Sequence, residues 1–399
     1  VAVAAGGIAS FALLYAPQPV LPQLAADFRL DPGGASLAVG VATGGLAVAV
    51  LPVAALSEIA GRRRVILASM VVSVVLGLLL PLAPTFAVLL AMRAGQGAAI
   101  AGFAGVAAAY LVEMLGRKGV VAAVGAMIAG NSVGGMLGRL AAGAAAEPVG
   151  WRGALLLVAV VALGCGVVTL VALPAPRGVR SGGARPREVV AGLRAAAGRP
   201  VLLVQYAFAA LGMGSFVALY NAAGFRLTAP PIGLAPALAS LVFLVYAIGT
   251  VSSGTAARLV ARVGQARALI AALAVTVAGG ALTLPDALPA VILGFAVLTG
   301  GFFAAHTVAN GWTAAAAPEG ARGQASGLYT LAYYLGSSVF GTAGGAVYGR
   351  FGWAWLIALT SSWLLLALLA ALGFHLCTAR RRTPSRAGEG DPRRDGLSG

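Results

Sequence analysis

Charged side chains make up only ten per cent of this chain of 399 residues, while 60% of it is hydrophobic. A soluble domain usually carries about a quarter of its residues charged. So few ionised groups cannot coat a globule of this size, which excludes an ordinary soluble enzyme and a disordered chain. Cysteine and histidine occur twice each. Cys165 and Cys377 lie far apart in apolar surroundings, so they read as packing residues with no disulfide framework, and no metal site is expected. Lysine is nearly missing too, since only Lys118 stands among 27 basic residues. The 57 glycines follow no period of three, which excludes a collagen-like fibre.

What is present is apolar sequence in long runs. A bilayer is crossed by about 20 apolar residues. Reading runs between charged and Pro/Gly breaks gives twelve spans, at about 1–22, 36–57, 65–83, 86–111, 119–145, 152–173, 201–224, 232–256, 267–284, 288–313, 324–348 and 353–376. The first run lacks a basic n-region and a cleavage site, so it is expected to be a retained helix rather than a signal peptide. A net charge of +16 often points to nucleic acid, but the positions of the basic residues point elsewhere. With the even-to-odd connections on one side, 21 basic residues fall there, four (Arg29, Arg152, Arg226, Arg350) fall on the other, and Arg93 and Arg139 fall within spans. Positive charge collects on the cytoplasmic side of membrane proteins, so both termini are expected in the cytoplasm and no nucleic-acid partner is expected.

The one long break is a Pro-, Gly- and Arg-rich stretch that divides the spans six and six. The expected organisation is an N-terminal half, 1–173, a basic cytoplasmic linker, 174–200, a C-terminal half, 201–376, and a disordered cytoplasmic tail, 377–399. The halves echo one another. Arg117-Lys118-Gly119 before span 5 parallels Ala321-Arg322-Gly323 before span 11, and Gly150-Trp151 before span 6 parallels Gly352-Trp353 before span 12. Six spans per half give parallel repeats about an axis along the membrane normal.

The connection between spans 2 and 3, Ala54-Ala55-Leu56-Ser57-Glu58-Ile59-Ala60-Gly61-Arg62-Arg63-Arg64, resembles the loop motif of the major facilitator superfamily, G-x-L-[SA]-D-R-x-G-R-R. Ala54 replaces its first glycine and Glu58 its aspartate. Arg93-Ala94-Gly95-Gln96-Gly97 in span 4 resembles the family's R-x-x-x-G motif. Gly125, Gly130, Gly134 and Gly135 in span 5 match its antiporter pattern, with Asn131 in place of proline. The stretches Gly130–Leu140, Gly301–His306 and Tyr333–Ser338 are similar to the branch of bacterial inner-membrane proteins regarded as drug or metabolite exporters. The resemblance covers nearly the whole chain. It implies an all-α fold of 12 transmembrane helices in two pseudo-symmetric six-helix halves. The implied activity is secondary transport of a small-molecule solute in the lipid bilayer of the cytoplasmic membrane, with the proton as coupling ion, no prosthetic group and a monomer sufficient.

Site residues follow from charge and position. Glu58 with Gly61, Arg62, Arg63 and Arg64 is expected to form a latch that closes and parts as the halves move. The three arginines alone would also satisfy positive-inside topology. A guanidinium in the hydrocarbon core costs at least about 2.5–3.5 kcal/mol. Arg93 is therefore expected to face a cavity or a partner, with a buried structural arginine bonding to carbonyls as the alternative, and Gln96 lies on the same helical face. Arg139 is expected near the outer end of span 5 in a structural role, snorkelling or meeting Glu147. Neutral polar residues expected to line a central cavity are Tyr15 and Gln18, Asn131, Gln205, Tyr206 and Asn221, Asn310, and Tyr333 and Tyr334. Such a lining suits a lipophilic or weakly anionic solute.

None of the eleven acids lies deep in a span, so a proton-linked exporter lacks its usual carboxylate. At the position three residues before Gln18, where related exporters can carry an acid, stands Tyr15. His306 is the one deep group with an ordinary pKa near neutrality, and if it is not simply a packing residue it is the expected proton carrier, with Glu58 and Asp27 near the span ends as the alternative route. The glycines of span 5 are expected to let spans 5 and 8 approach across the half-interface. A passive facilitator or importer on the same fold remains the alternative. An intramembrane serine protease built on Ser132 within G-x-S-x-G and His306 is a remote one, because that motif needs a strained strand-to-helix turn and here sits inside an apolar run. The topology is testable: a fluorescent protein fused after Gly399 should fluoresce and a phosphatase active only outside the cytoplasm should be silent. The reverse pattern would invert the orientation.

Overall fold

The computed structural model describes residues 1–175 and 186–382, and among the described residues every regular element is helical. In chain order these are α1 (Ala2–Tyr15), α2 (Leu21–Phe28), α3 (Pro32–Ala60), α4 (Arg62–Leu79), α5 (Phe86–Ala104), α6 (Ala107–Ala172), α7 (Pro186–Ala197), α8 (Pro200–Thr228), α9 (Pro236–Ser240), α10 (Tyr246–Val263), α11 (Gln265–Leu282), α12 (Leu288–Ala316), α13 (Arg322–Phe351) and α14 (Trp353–Arg382). Among the described residues ten stretches are long and apolar enough to span a membrane. One of them, Ala122–Ala172, crosses twice. Gly130 lies against Ala4 while Thr169 donates to the Ala2 carbonyl, so the chain has turned back between them. The reversal falls at Pro148-Val149-Gly150, where Gly150 takes φ 66°, a conformation only glycine adopts freely. α13 supplies the twelfth span although it is not among the ten. It packs between α3 and α8, so its Gly, Ser and Tyr residues face protein rather than lipid.

The repeat seen in sequence has a structural counterpart. Gly150 and Gly352, with φ of 66° and 81°, each turn the chain into a tryptophan that closes one end of its half. Trp151 donates to Asp27 at 2.9 Å, and Trp353 donates to the Thr283 carbonyl at 3.0 Å. Gly61 and Gly264, with φ of 93° and 81°, likewise join α3 to α4 and α10 to α11. The end of the molecule that carries Arg62–Arg64 is called the basic end below, and the end that carries Trp151 and Trp353 the distal end.

Two spans depart from the uninterrupted runs expected. Span 1 stops as a helix at Tyr15, passes through a tight turn at Gln18–Val20 and resumes as α2, because Pro17 and Pro19 remove two helical donors within three residues. Span 8 is assembled from α9, a tight-turn segment Leu241–Val245 and α10. The linker is not wholly irregular. α7 lies within it, with Glu188 in its first turn and Arg194 in its last, as the helix dipole favours. It packs on α13 with Gly192 against Gln324 and Ala196 in a small core with Leu202 and Ala325. α14 also runs to Arg382, so it takes in the first six residues of the expected disordered tail, 377–382. Residues 176–185 of the linker and 383–399 of the tail lie outside the described residues.

The glycine face of span 5 packs within its own half. Gly130, Gly134 and Gly138 lie against the backbone of Ala4, Ile8 and Ala12 of α1, so a side chain there has no room. This corrects the expected seam with span 8, which meets α6 further on, where Gly143 abuts Ser240. Between the halves, α3 and α13 meet at Gly33 with Ala346, Gly40 with Thr342, and Gly44 with Ser338. Pro22 touches Gly224, so the distal end is closed, whereas open space lies beside Gly125 and Gly254. Gly134→Val should therefore cost at least about 1–3 kcal/mol through overpacking. Gly125→Ala should leave the melting temperature in detergent unchanged, and equal melting of the two variants would contradict this packing.

Candidate functional site

The break in span 1 organises the polar interior. Pro17 has no N–H, so the carbonyl of Leu13 loses its helical partner. Inside a bilayer no water replaces it. Arg93 of α5 fills the gap, its Nη1 donating to Leu13 O at 3.0 Å and its Nη2 to Leu14 O. Its Nε donates to Ala38 O of α3 at 2.8 Å, and its Nη1 also reaches Gln96 Oε1. Gln96 Nε2 in turn donates to Ser73 O of α4 at 3.0 Å. Arg93 has no exposed surface and Gln96 almost none. Both were expected at a central cavity, and the structure places them instead in a closed network joining α1, α3, α4 and α5.

The other arginine within a span takes the reverse course. Arg139 of α6, expected in a structural role, is 3% exposed and stands where the two halves meet. Its Nε donates to Gln18 Oε1 at 2.6 Å and its Nη1 to Gly135 O at 2.6 Å. Gln18 Nε2 then donates to Asn221 Oδ1 of α8 at 2.8 Å, so a single chain of polar groups runs from one half into the other. The rings of Tyr15, Tyr246 and Phe243 lie 4.1, 4.7 and 5.4 Å from the guanidinium carbon. Among the described residues no carboxylate pairs with Arg139, and Glu147 does not reach it.

Aromatic residues continue from this point into the C-terminal half. Tyr246 stands 5.8 Å from Phe303, and Phe302 stacks on His306 at 6.1 Å. His306 Nδ1 lies 3.0 Å from Tyr329 Oη, and its ring is 4.8 Å from that of Tyr333, which meets Tyr334 edge-on at 5.1 Å. Tyr333 and Tyr334 also stand near Tyr15, across the division between halves. His306, Tyr333, Tyr246 and Asn131 are half-buried, whereas Asn310 is exposed. Several buried polar atoms have no protein partner: Asn131 Oδ1, both side-chain polar atoms of Gln205, Tyr206 Oη, Asn221 Nδ2 and Ser337 Oγ. Each such atom costs about 1–3 kcal/mol if left unsatisfied.

At the basic end Glu58 accepts from Arg62 at 2.6 Å, and Arg62 also reaches Glu113 at 3.1 Å and Ala109 O. Sequence reasoning missed Glu113, which lies 51 residues further along the chain. Arg63 Nε donates to Leu173 O at 3.0 Å, Arg64 is exposed, and Gly61 makes the turn. All of these contacts lie within the N-terminal half. Ser132 lies inside helix α6, without the strand-to-helix turn that a hydrolase nucleophile of its motif uses.

Twelve membrane spans in two repeated halves, with a polar seam between them, define the architecture of a multi-pass membrane transporter. The sequence model of the Major Facilitator Superfamily matches residues 3–254 and again 215–397, and the chain belongs to that family. It is 35% identical over 369 residues to an uncharacterised MFS-type transporter, YybF of Bacillus subtilis, covering 91% of this chain and 90% of that one. It is also 35% identical over 374 residues to the inner membrane transport protein YnfM of Escherichia coli, covering 94% and 89%. Among solved structures it is similar to a point mutant of the nucleoside transporter NupG, with TM-score 0.77 at 13% identity, covering 93% and 98%. A bacterial homologue of the lysosomal transporter Spinster, inward-facing and unoccupied, gives TM-score 0.70 at 16% identity, covering 95% and 94%.

The exchange of roles between the arginines is testable. Arg93→Gln leaves buried carbonyls of α1 and α3 without donors and should cost about 2–4 kcal/mol of stability, read as a lower melting temperature in detergent. An unchanged melting temperature would return Arg93 to the cavity.

Proposed function

We propose that the chain exports a small lipophilic or weakly anionic drug or metabolite across the bacterial cytoplasmic membrane in exchange for protons, by alternating access. The observation that carries this reading is the chain Arg139–Gln18–Asn221, which ties the two halves at a half-buried aromatic seam. The unpaired polar atoms of α6, α8 and α13 supply hydrogen-bonding capacity that the protein itself leaves unused. A site at the junction of two repeats is where a rocking carrier exposes its cargo to either side. The geometry closed at the distal end is then the state closed to the outside. The Glu58–Arg62–Glu113 group is the part of the basic end that rearranges when the cytoplasmic side closes. Both termini lie in the cytoplasm, a monomer suffices, and His306, bonded to Tyr329, is the proton carrier.

One observation favours a second reading. Among the described residues no carboxylate stands at the seam, so a passive facilitator on the same fold needs no further group. One experiment separates them. Purified protein in proteoliposomes is given a panel of neutral, anionic and cationic aromatic solutes, with and without an imposed pH gradient. Export predicts accumulation that follows the gradient and is lost in His306→Ala. Equilibration indifferent to the gradient would establish the facilitator, and flux no greater than in empty liposomes for every solute would defeat the transport reading of this seam.

A further inference from the structure

Among the described residues Arg139 is a cation without an anion. The rings of Tyr15, Tyr246 and Phe243 gather around its guanidinium carbon, and its N–H bonds lie in the guanidinium plane, so a hydrogen-bonding ligand meets it at an edge of that plane. That edge is incompletely used. Gln18 offers a single amide oxygen, held at 2.6 Å by Nε. Nη2, the neighbouring donor on the same edge, has no hydrogen-bond partner among the described residues. A guanidinium edge of this kind matches the two oxygens of a carboxylate. An uncharged amide oxygen supplies half of that geometry and none of the charge. Burial raises what the difference is worth, because a lone cation in a low-dielectric surrounding is costly until it is neutralised.

The groups around this edge describe the rest of the ligand. Beyond Tyr246 the wall is made of Phe303, His306 and Tyr333, all half-buried rings drawn from α12 and α13. They continue the aromatic lining from Tyr246, whose ring centroid lies 4.7 Å from the guanidinium carbon. A ligand that satisfies both parts carries one negative charge at the end of a flat, ring-bearing body. A cation is repelled by Arg139, and a polyol finds rings where it needs paired donors and acceptors.

We infer that the solute is an aromatic organic monoanion, bound by Arg139 through Nε and Nη2, and that Gln18 Oε1 occupies the anion's place while the site is empty. This narrows the transport reading given above and rests on it. It also gives binding a structural consequence. An anion that displaces Gln18 from Arg139 frees the side chain that bonds to Asn221, so the polar tie between the halves is loosened only in the occupied protein.

The test uses full-length protein in lipid nanodiscs at pH 7, with 1-naphthoate, 1-naphthamide and 1-naphthylmethylammonium as probes of one shape and three charges. Calorimetry should show naphthoate binding at least tenfold more tightly than the other two. Arg139→Gln should abolish that preference. Gln18→Glu installs a permanent carboxylate on the same edge. It should weaken naphthoate at least tenfold while the melting temperature stays the same or rises, which separates a filled site from a misfolded protein. Gln18→Ala should bind naphthoate at least as well as the parent. Equal affinity for acid and amide, undiminished naphthoate binding by Gln18→Glu, or no naphthoate binding at all would overturn the proposal. If the affinities follow charge as stated but no probe crosses a proteoliposome membrane, the anion site stands and the transport reading falls. If only naphthamide is carried, the transport reading stands and the anion site falls.

Discussion

Two prolines in the first span deny the backbone its own hydrogen bonds in a place where water cannot supply them. Much of the interior is arranged around that deficit. Arg93 reaches from α5 to the carbonyls that precede the break, and in doing so it gathers α1, α3 and, through Gln96, α4 into one network. Gln18, which sits in the break itself, cannot bury its amide in an unbroken helical face and instead extends both ways, to Arg139 and to Asn221. One arginine therefore fixes the N-terminal half as a body, and the other connects that body to its counterpart. The two cations within the spans serve the same irregularity from opposite sides.

The large outline was legible in the sequence because it is written in quantities that need no third dimension. Runs of apolar residues counted the crossings, basic residues told one end from the other, and the Gly-Trp pairs at 150–151 and 352–353 marked the repeat. Each of those glycines does hold a positive φ, and each of those tryptophans does close its half. The surroundings of the two arginines rest on something that spacing cannot reveal. Both lie within apolar runs, and only the packing of α5 and α6 decides which of them faces carbonyls and which faces the other half. Pro17 held the missing signal. A proline within a span predicts an orphaned carbonyl four residues earlier, and a buried donor must exist for it. Glu113 was invisible for a simpler reason, since nothing local links it to an arginine 51 residues earlier.

The division of glycines followed the same rule. Those at 130, 134 and 138 recur every four residues, which places them on one helical face, but periodicity does not say which neighbour that face meets. The structure gives it to α1, and the meeting of α6 with the opposite half is left to Gly143 and Ser240. The scarcity of acids has a corresponding meaning. With no protein carboxylate at the seam among the described residues, Arg139 sets the fixed charge of the seam.

The contact between α3 and α13 sets how easily one half can slide against the other. Along the distal half of the seam, glycines at 33, 40 and 44 lie flat against Ala346, Thr342 and Ser338, and Gly345 lies against Ser36. Surfaces made this way have almost no relief. They behave as a plain bearing, in which one helix can glide and tilt over the other without lifting clear of interlocked side chains or forcing a change of rotamer. Resistance to motion is then concentrated at the few polar ties that cross the division, which is where chemistry rather than shape can govern it.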